Sequence, residues 1–374
     1  MANLLVESPH SAPSFADRQV GSLPARKRSE EKRPQAVVTG ASGFIGMHLV
    51  QRLLREGQRV RVLMHRSPCP QALQSQGAEV IRGGLDDLAL LKDAVQGADV
   101  VYHVAGLTSA TNEADLLRVN GEGSRNLAQA CAAQAKSPTL LYVSSVAAAG
   151  PTSREHVRVE RELPAPVSRY GRSKLAGEIA IAEFASEVPI TIVRPGIVFG
   201  PQNRETLPMF QSIQWLNTHA VMGMRAPILS LVYVDDLIEI ILRAALQGTR
   251  LPMPCGVPLQ QLSAGRGVYF AAAAEHPDYA EFGKWIAAEL QRPFVLPVYI
   301  PGSVAAAAIG FFESLCWLRG TSSSVNRDKL LEASAASWAC SGELVRRELG
   351  FTMPYSLRER LHETVAWYRA QRWL

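Results

Sequence analysis

Residues 36–57 read AVVTGASGFIGMHLVQRLLREG, and this stretch decides the fold. AVVT is a short apolar run of β-forming residues, the next seven positions carry three glycines, and apolar residues then recur at helical spacing. The strand-like RVRVLM follows at 59–64. A strand, a tight turn, a helix and a second strand are therefore predicted in one βαβ unit. Short apolar runs recur at 78–81, 99–104, 139–145 and 190–195, with helical-period segments between them. Such alternation predicts an α/β fold, a Rossmann-like doubly wound parallel sheet covered on both faces, with any ligand at the carboxyl ends of the strands. After Gly200 the alternation breaks down, which predicts a smaller, irregular C-terminal substrate lobe. No internal repeat is visible.

Composition narrows the function. Of 374 residues, 47% are hydrophobic and 20% charged, an ordinary globular balance that excludes collagen-like, disulfide-scaffold and wholly disordered chains. The formal charge of +5 is concentrated at the two ends, since residues 1–34 and 343–374 each hold six basic residues against four acidic ones. No nucleic-acid face is expected in the body. Five scattered cysteines without CxxC or Cys/His spacing predict free thiols, a reducing compartment and no metal. The first twenty residues hold two acids and no long apolar run, so they do not read as a secretory signal, and a cytoplasmic enzyme is expected. Residues 1–34 are polar and aperiodic, a disordered extension in which Arg26, Lys27 and Arg28 form a solvated basic tail.

The glycine turn carries chemistry because of where it stands. Small residues between a strand and a helix let the backbone approach a pyrophosphate, and the helix N-terminus offers N–H groups and partial positive charge to that anion. Gly40, Ser42, Gly43, Phe44, Ile45 and Gly46 are thus candidate dinucleotide contacts. This makes residues 35–200 the NAD(P)-binding domain. Residues 201–374 are a mixed region, mainly substrate lobe, with segments returning to the first domain. Further along, Tyr170 and Lys174 lie four apart on a predicted helix and so share a face. A free phenol has a pKa of about 10, and a neighbouring ammonium lowers it toward the range of a useful acid or base.

The G-x-x-G-x-x-G spacing of TGASGFIG resembles the opening of the extended short-chain dehydrogenase/reductase family, in its NAD-dependent epimerase/dehydratase and 3β-hydroxysteroid dehydrogenase-like branches. Tyr170-Gly-Arg-Ser-Lys174 matches that family's YxxxK, and TLLYVSSVAAAG at 139–150 carries its serine. HVAG at 103–106, VRPGIVFGP at 193–201 and LVYVDDL at 231–237 resemble further signatures in the family's order. The resemblance implies that Tyr170 exchanges a proton with the substrate, that Lys174 also holds the nicotinamide ribose, and that Asn120 positions the active-site backbone. A local helix role for Asn120 remains open. Counting back from Gly150 in the SSxxxxG pattern selects Ser145 over Ser144 as the residue orienting the substrate oxygen. Ala105, Gly106, Pro195 and Ile197 are implied cofactor contacts, and His103 reads as a packed strand-end residue.

Cofactor choice is read at the end of the second strand. An Asp or Glu there binds the ribose of the unphosphorylated dinucleotide. Here Met64, His65 and Arg66 stand instead, which favours NADP over NAD, with Arg66 pairing the 2′-phosphate. Gly84 replaces a family Asp that contacts adenine, leaving Asp86 or Asp87 as substitutes. The family's epimerases typically carry an Asn after the sixth strand. Arg194-Pro195-Gly196-Ile197 lacks it, and the expectation is net hydride transfer on a fairly apolar alcohol or ketone. A nucleotide-sugar epimerase/dehydratase and a non-catalytic dinucleotide-binding protein are the alternatives. Ser303–Leu318 spans sixteen residues and includes Glu313, too short to cross a membrane. It is expected to be a buried helix, with shallow membrane contact by Phe311, Phe312 and Trp317 as the alternative. A homodimer is implied by family habit.

Overall fold

The computed structural model describes residues 33–65, 71–110, 112–254, 258, 261, 264–307, 310 and 327–374, and its strands and helices belong to the unit Pro34–Leu374. Arg66, most of the 1–34 extension, Phe311, Phe312, Trp317, Cys69, Cys255 and Cys316 lie outside the described residues. Eleven strands are described: β1 (Gln35–Thr39), β2 (Arg59–Met64), β3 (Glu79–Arg82), β4 (Val100–His103), β5 (Thr139–Val143), β6 (Ile190–Pro195), β7 (Ile197–Phe199), β8 (Thr218–Met222), β9 (Leu231–Tyr233), β10 (Val268–Ala271) and β11 (Leu296–Ile300). Seven form a central parallel sheet in the order β10-β6-β5-β4-β1-β2-β3. The order reverses between β1 and β4, the switch point where such sheets bind ligands.

Local sequence explains these elements. The β1 run QAVVT is buried along its whole length, as a strand covered on both faces must be. Helix Phe44–Arg55 buries Gly46, Leu49, Val50 and Leu53, one helical face, against the sheet. Helix Val234–Gln247 packs on that same side, its Leu237, Ile238, Ile241 and Leu242 joining Leu49 and Leu53 in one core. The opposite face is covered by helices Leu88–Val95, Gly123–Ala132 and Arg169–Ala182, which contribute Leu91, Leu127 and Ile181 to a second core. Beyond residue 200 a separate cluster gathers Phe210, Phe282 and Tyr368 around Phe199.

The C-terminal half therefore supplies parts of the central layer. β10 pairs with β6 from Val268↔Ile192 to Ala271↔Pro195, and the Val234–Gln247 helix covers the sheet. Among the described residues no helix is long and apolar enough to cross a membrane, and no group of three His, Cys, Asp or Glu could hold a metal. Cys131 and Cys340 are buried free thiols.

One ion pair ties the sheet to its covering helix. Arg194 on β6 donates from Nε to Glu178 Oε1 at 2.9 Å and from Nη2 to Oε2 at 2.5 Å, and both side chains are fully buried. Removing one partner of such a pair strands a charge in low dielectric. Arg194→Met is expected to cost about 3–5 kcal/mol of unfolding free energy, read as a lower urea midpoint. The double variant Arg194→Met/Glu178→Leu should recover part of that loss. A double variant as unstable as the single one would show that the stranded charge is not the cause.

Candidate functional site

The site begins where β1 ends. Gly40 takes φ +76, the left-handed region, and a Cβ there would lie 2.6 Å from Ala105 N. A Cβ at Gly46 would lie 2.2 Å from Gly40 O, so glycine at both positions lets the turn fold against the helix and against the β4 exit. Helix Phe44–Arg55 starts from Gly43 with no side-chain cap. Its first-turn N–H groups are thus left for an anion, while Ser42 and Gly43 are exposed beside them. These features fit the pyrophosphate of a dinucleotide. Gly43 N donates to Gly40 O at 3.0 Å, which closes the turn.

A buried chain of hydrogen bonds links this turn to helix Arg169–Ala182. Ala105 N donates to Thr39 Oγ1 at 3.1 Å, and Thr39 Oγ1 lies 2.8 Å from His103 Nδ1. His103 Nε2 lies 2.9 Å from Ser124 Oγ, which donates to Asn120 O at 2.6 Å. Burial, with Lys174 adding to it, pushes His103 down to about 3, so the imidazole is neutral. Since Ser124 spends its proton on Asn120 O, it accepts from Nε2–H, and Nδ1 accepts from Thr39. His103 is committed to structure.

Asn120 sits in a π-helical turn, Leu117–Glu122, and is fully buried. Its Oδ1 accepts from Leu107 N at 2.8 Å, and its Nδ2 donates to Leu107 O at 2.9 Å and to Ser173 Oγ at 2.9 Å. It thereby joins the β4 exit to helix Arg169–Ala182. Gly106 stands between them, for a Cβ there would lie 3.1 Å from Asn120 Oδ1 and 3.5 Å from Lys174 Nζ.

Helix Arg169–Ala182 buries Gly171, Lys174, Gly177, Glu178 and Ile181, a stripe at three- and four-residue spacing. Lys174 Nζ donates to Val143 O at 2.8 Å and lies 4.3 Å from the centroid of the Tyr142 ring. Burial lowers it to about 7 against the opposing pull of the Glu178 carboxylate. Tyr170, one turn earlier, has Ser145 beside its phenol. Burial holds its phenol above the ordinary range, Ser145 opposes this, and the charges of Glu332 and Glu205 raise it further. The sequence leads one to expect the Lys174 charge to lower Tyr170. In the structure desolvation dominates, and the ammonium is turned toward Val143 O.

The two serines are separated by their partners. Ser144 Oγ donates to Glu178, whereas Ser145 caps the short helix Val146–Ala149, accepting from Ala147 N at 3.1 Å, and meets Tyr170. Pro195 is buried at the end of β6 beside Ala271, and Ile197 is 37% exposed at the start of β7. His65 is exposed at the end of β2. A Cβ at Gly84 would lie 2.1 Å from Asp86 Oδ1 and 3.2 Å from His65 Cδ2, so Asp86 folds back over the glycine next to His65. Asp87 caps its helix by accepting from Leu90 N at 3.0 Å, which leaves Asp86 as the acid at that end.

Sequence reasoning missed Thr39, Glu178 and Asp328. Glu178 had a signal, standing four residues after Lys174 on the same helical face. Asp328, whose carboxylate accepts from Arg169 N and Tyr170 N, had none in its local sequence.

The family model described as the NAD dependent epimerase/dehydratase family matches residues 36–253. "Ceramide reductase" of Caulobacter vibrioides is 29% identical over 348 residues, covering 92% of this chain and 97% of that one. "D-erythronate dehydrogenase" of Cupriavidus necator is 31% identical over 182 residues, 43% of this chain and 56% of that one. Among solved structures, UDP-glucose 4-epimerase of Thermotoga maritima superimposes with a TM-score of 0.70 at 20% identity, covering 90% of this chain and 99% of that one.

Thermal unfolding without cofactor tests the packing of the turn. Gly46→Ala is expected to lower stability by about 1–3 kcal/mol through overpacking against Gly40 O, and to weaken dinucleotide binding with it. A Cβ at Gly43 would meet Gly40 O at 3.3 Å, so Gly43→Ala should cost much less. Equal losses would show that close approach at Gly46 is not what the glycine serves.

Proposed function

The chain belongs to the NAD-dependent epimerase/dehydratase family, and from that premise we propose that it is a net oxidoreductase. It moves a hydride between a nicotinamide dinucleotide and a fairly apolar alcohol or ketone, with Tyr170 as the proton-transfer group. One observation carries the reading: Ser145 stands beside the Tyr170 phenol and draws its pKa down, with Lys174 buried one turn further along the same helix face.

In the direction of reduction Ser145 and Tyr170 both donate to the substrate carbonyl oxygen, and Tyr170 Oη gives up its proton as that oxygen becomes a hydroxyl. The bound nicotinamide supplies the hydride to the carbonyl carbon. Burial keeps the phenol protonated until that moment, which suits an acid. Lys174, at the junction of Gly106 and Val143, holds the ribose side, and Asn120 keeps the Leu107 backbone and Ser173 in register with it. The N–H groups at the start of helix Phe44–Arg55 bind the pyrophosphate.

Two points support an apolar substrate over a nucleotide sugar. Asn203, the amide that follows β7, is buried and spent on its own loop, donating to Val198 O at 2.8 Å and accepting from Glu205 N at 2.8 Å. A relative that matches 92% of this chain, and so reaches through the C-terminal half, bears the name of a lipid reductase. We further propose a preference for NADP. His65 stands exposed where a carboxylate would repel the 2′-phosphate, Arg66 follows it, and Asp86 takes the adenine end.

Three measurements test this. Tyr170→Phe should bind dinucleotide normally and lose about 10² to 10⁴ in turnover, and retention of more than about a tenth of the activity would remove Tyr170 from the proton transfer. Purified protein offered long-chain and steroid ketones should consume reduced cofactor in proportion to product, followed by absorbance. Conversion of a nucleotide sugar with no net absorbance change would overturn the net-oxidoreductase reading. Titration of both reduced cofactors should show tighter binding of NADPH, lost in Arg66→Ala. Equal affinities that the substitution leaves unchanged would overturn the preference.

A further inference from the structure

An α-helix leaves four N–H groups at its start without partners inside it. In helix Arg169–Ala182, which Ser168 caps, three of them have partners outside the helix. Ser168 Oγ accepts from Gly171 N at 2.9 Å, while Arg172 N makes the first regular helical bond, to Ser168 O at 2.9 Å. The remaining two go to one carboxylate from far along the chain: Arg169 N donates to Asp328 Oδ1 at 2.6 Å and Tyr170 N to Asp328 Oδ2 at 3.0 Å. One serine cap is the ordinary provision for a helix. The added carboxylate is charge-assisted and faces the positive end of the helix dipole.

The element that brings Asp328 is fastened at further points. Helix Arg327–Ala333 also carries Glu332, whose Oε1 accepts from Ser168 Oγ at 2.6 Å and whose backbone carbonyl accepts from Trp338 Nε1 at 2.9 Å. Lys329 Nζ lies 5.4 Å from the centroid of the Tyr170 ring and 3.6 Å from Glu332 Oε2. Asp328 and Glu332 are one turn apart, so a single helix face grips residues 168–170 while the lysine beside them lies over the ring.

We propose that Asp328 is a positioning residue for Tyr170, fixing the backbone of the turn that aims the phenol, so that docking of Arg327–Ala333 and assembly of the proton-transfer site are one event. The proposal rests on Tyr170 being the proton-transfer group. Asp328 touches no reacting atom. It acts through the amides of Arg169 and Tyr170, the two that lead into the Cα carrying the ring, where displacement by about 1 Å costs on the order of 10² in rate.

The test uses the full chain, NADPH and a long-chain or steroid ketone that the wild type reduces, with Asp328→Ala, Asp328→Asn and Tyr170→Phe in parallel. Amide hydrogen exchange of residues 167–174 is followed without substrate. Asp328→Ala should speed exchange at Arg169 and Tyr170 and lower kcat by about tenfold or more, with KM and cofactor Kd changed by less than about twofold. Asp328→Asn keeps one acceptor oxygen and should fall between. Exchange unchanged in Asp328→Ala, or faster exchange with kcat within about twofold of wild type, overturns the positioning role. A loss of kcat that only follows a loss of cofactor-binding stoichiometry in both Asp328 variants is unfolding and overturns it too. If Tyr170→Phe keeps its turnover, the reading of Tyr170 fails first. If Tyr170→Phe is inactive and Asp328→Ala fully active, only the positioning role fails.

Discussion

Glu178 is the meeting point of the three elements that carry the site. Its carboxylate binds Arg194 of β6 through two hydrogen bonds and accepts from Ser144, the first residue beyond β5, while its own helix carries Tyr170 and Lys174. A fully buried ion pair is tolerated only when its lone pairs and protons are satisfied at good geometry. That demand fixes the depth of the helix on the sheet and the path of the chain as it leaves β5. In extended backbone successive side chains point to opposite sides. With Ser144 turned in toward Glu178 and Ser145 itself extended at φ −160 and ψ 152, Ser145 is turned out toward Tyr170. The buried pair thus decides which of two adjacent serines faces Tyr170.

The charges around the reacting groups are few and placed at a distance. His103 is neutral, and the hydrogen bonds from Thr39 to Asn120 form a chain without net charge. Burial lowers Lys174 to about 7, and its Nζ is held by a carbonyl and set over an aromatic ring. Carboxylates reach Tyr170 from Glu205 and Glu332, both of which favour the protonated phenol. Resting electrostatics therefore favour Tyr170 as a donor. This is the opposite of what the spacing of Tyr170 and Lys174 alone suggests, because spacing reports proximity and is silent about desolvation.

What could be read in the sequence was local and periodic. The glycine turn, the buried strands and the shared face of Tyr170 and Lys174 follow from steric rules that act over a few residues, and the strand bounds differ from the apolar runs by one or two positions at most. The choice of Ser145 came from the resembling family's SSxxxxG pattern counted back from Gly150, and in the structure Ser144 bonds Glu178 while Ser145 stands beside Tyr170. Asn120 was marked by the resemblance as positioning the active-site backbone, with a local helix role left open, but its partners Leu107 and Ser173, 13 and 53 residues away, were not legible. Gly84 and Asp86 were legible as a departure, whereas the fold-back of Asp86 beside His65 depends on how β3 exits next to β2. Asp328 lies 159 residues from the amide it caps, and no local pattern marks it.

Other contacts without a local signal run from the C-terminal half back onto residues 35–200. Helix Val234–Gln247 covers one face of the sheet, β10 borders β6, and Asp328 closes the first turn of the Tyr170 helix. β10 also shields the central ion pair, for the Arg194 guanidinium carbon lies 5.8 Å from the centroid of the Phe270 ring, and Phe270 N is held by Glu160 Oε1 at 3.1 Å. Without β10 the edge of β6 would be open to water or to another chain, and the environment that makes the Arg194–Glu178 pair rigid would be lost. Residues beyond 260 therefore complete the surroundings of Tyr170: Asp328 closes the first turn of its helix, and β10 borders the strand that carries Arg194.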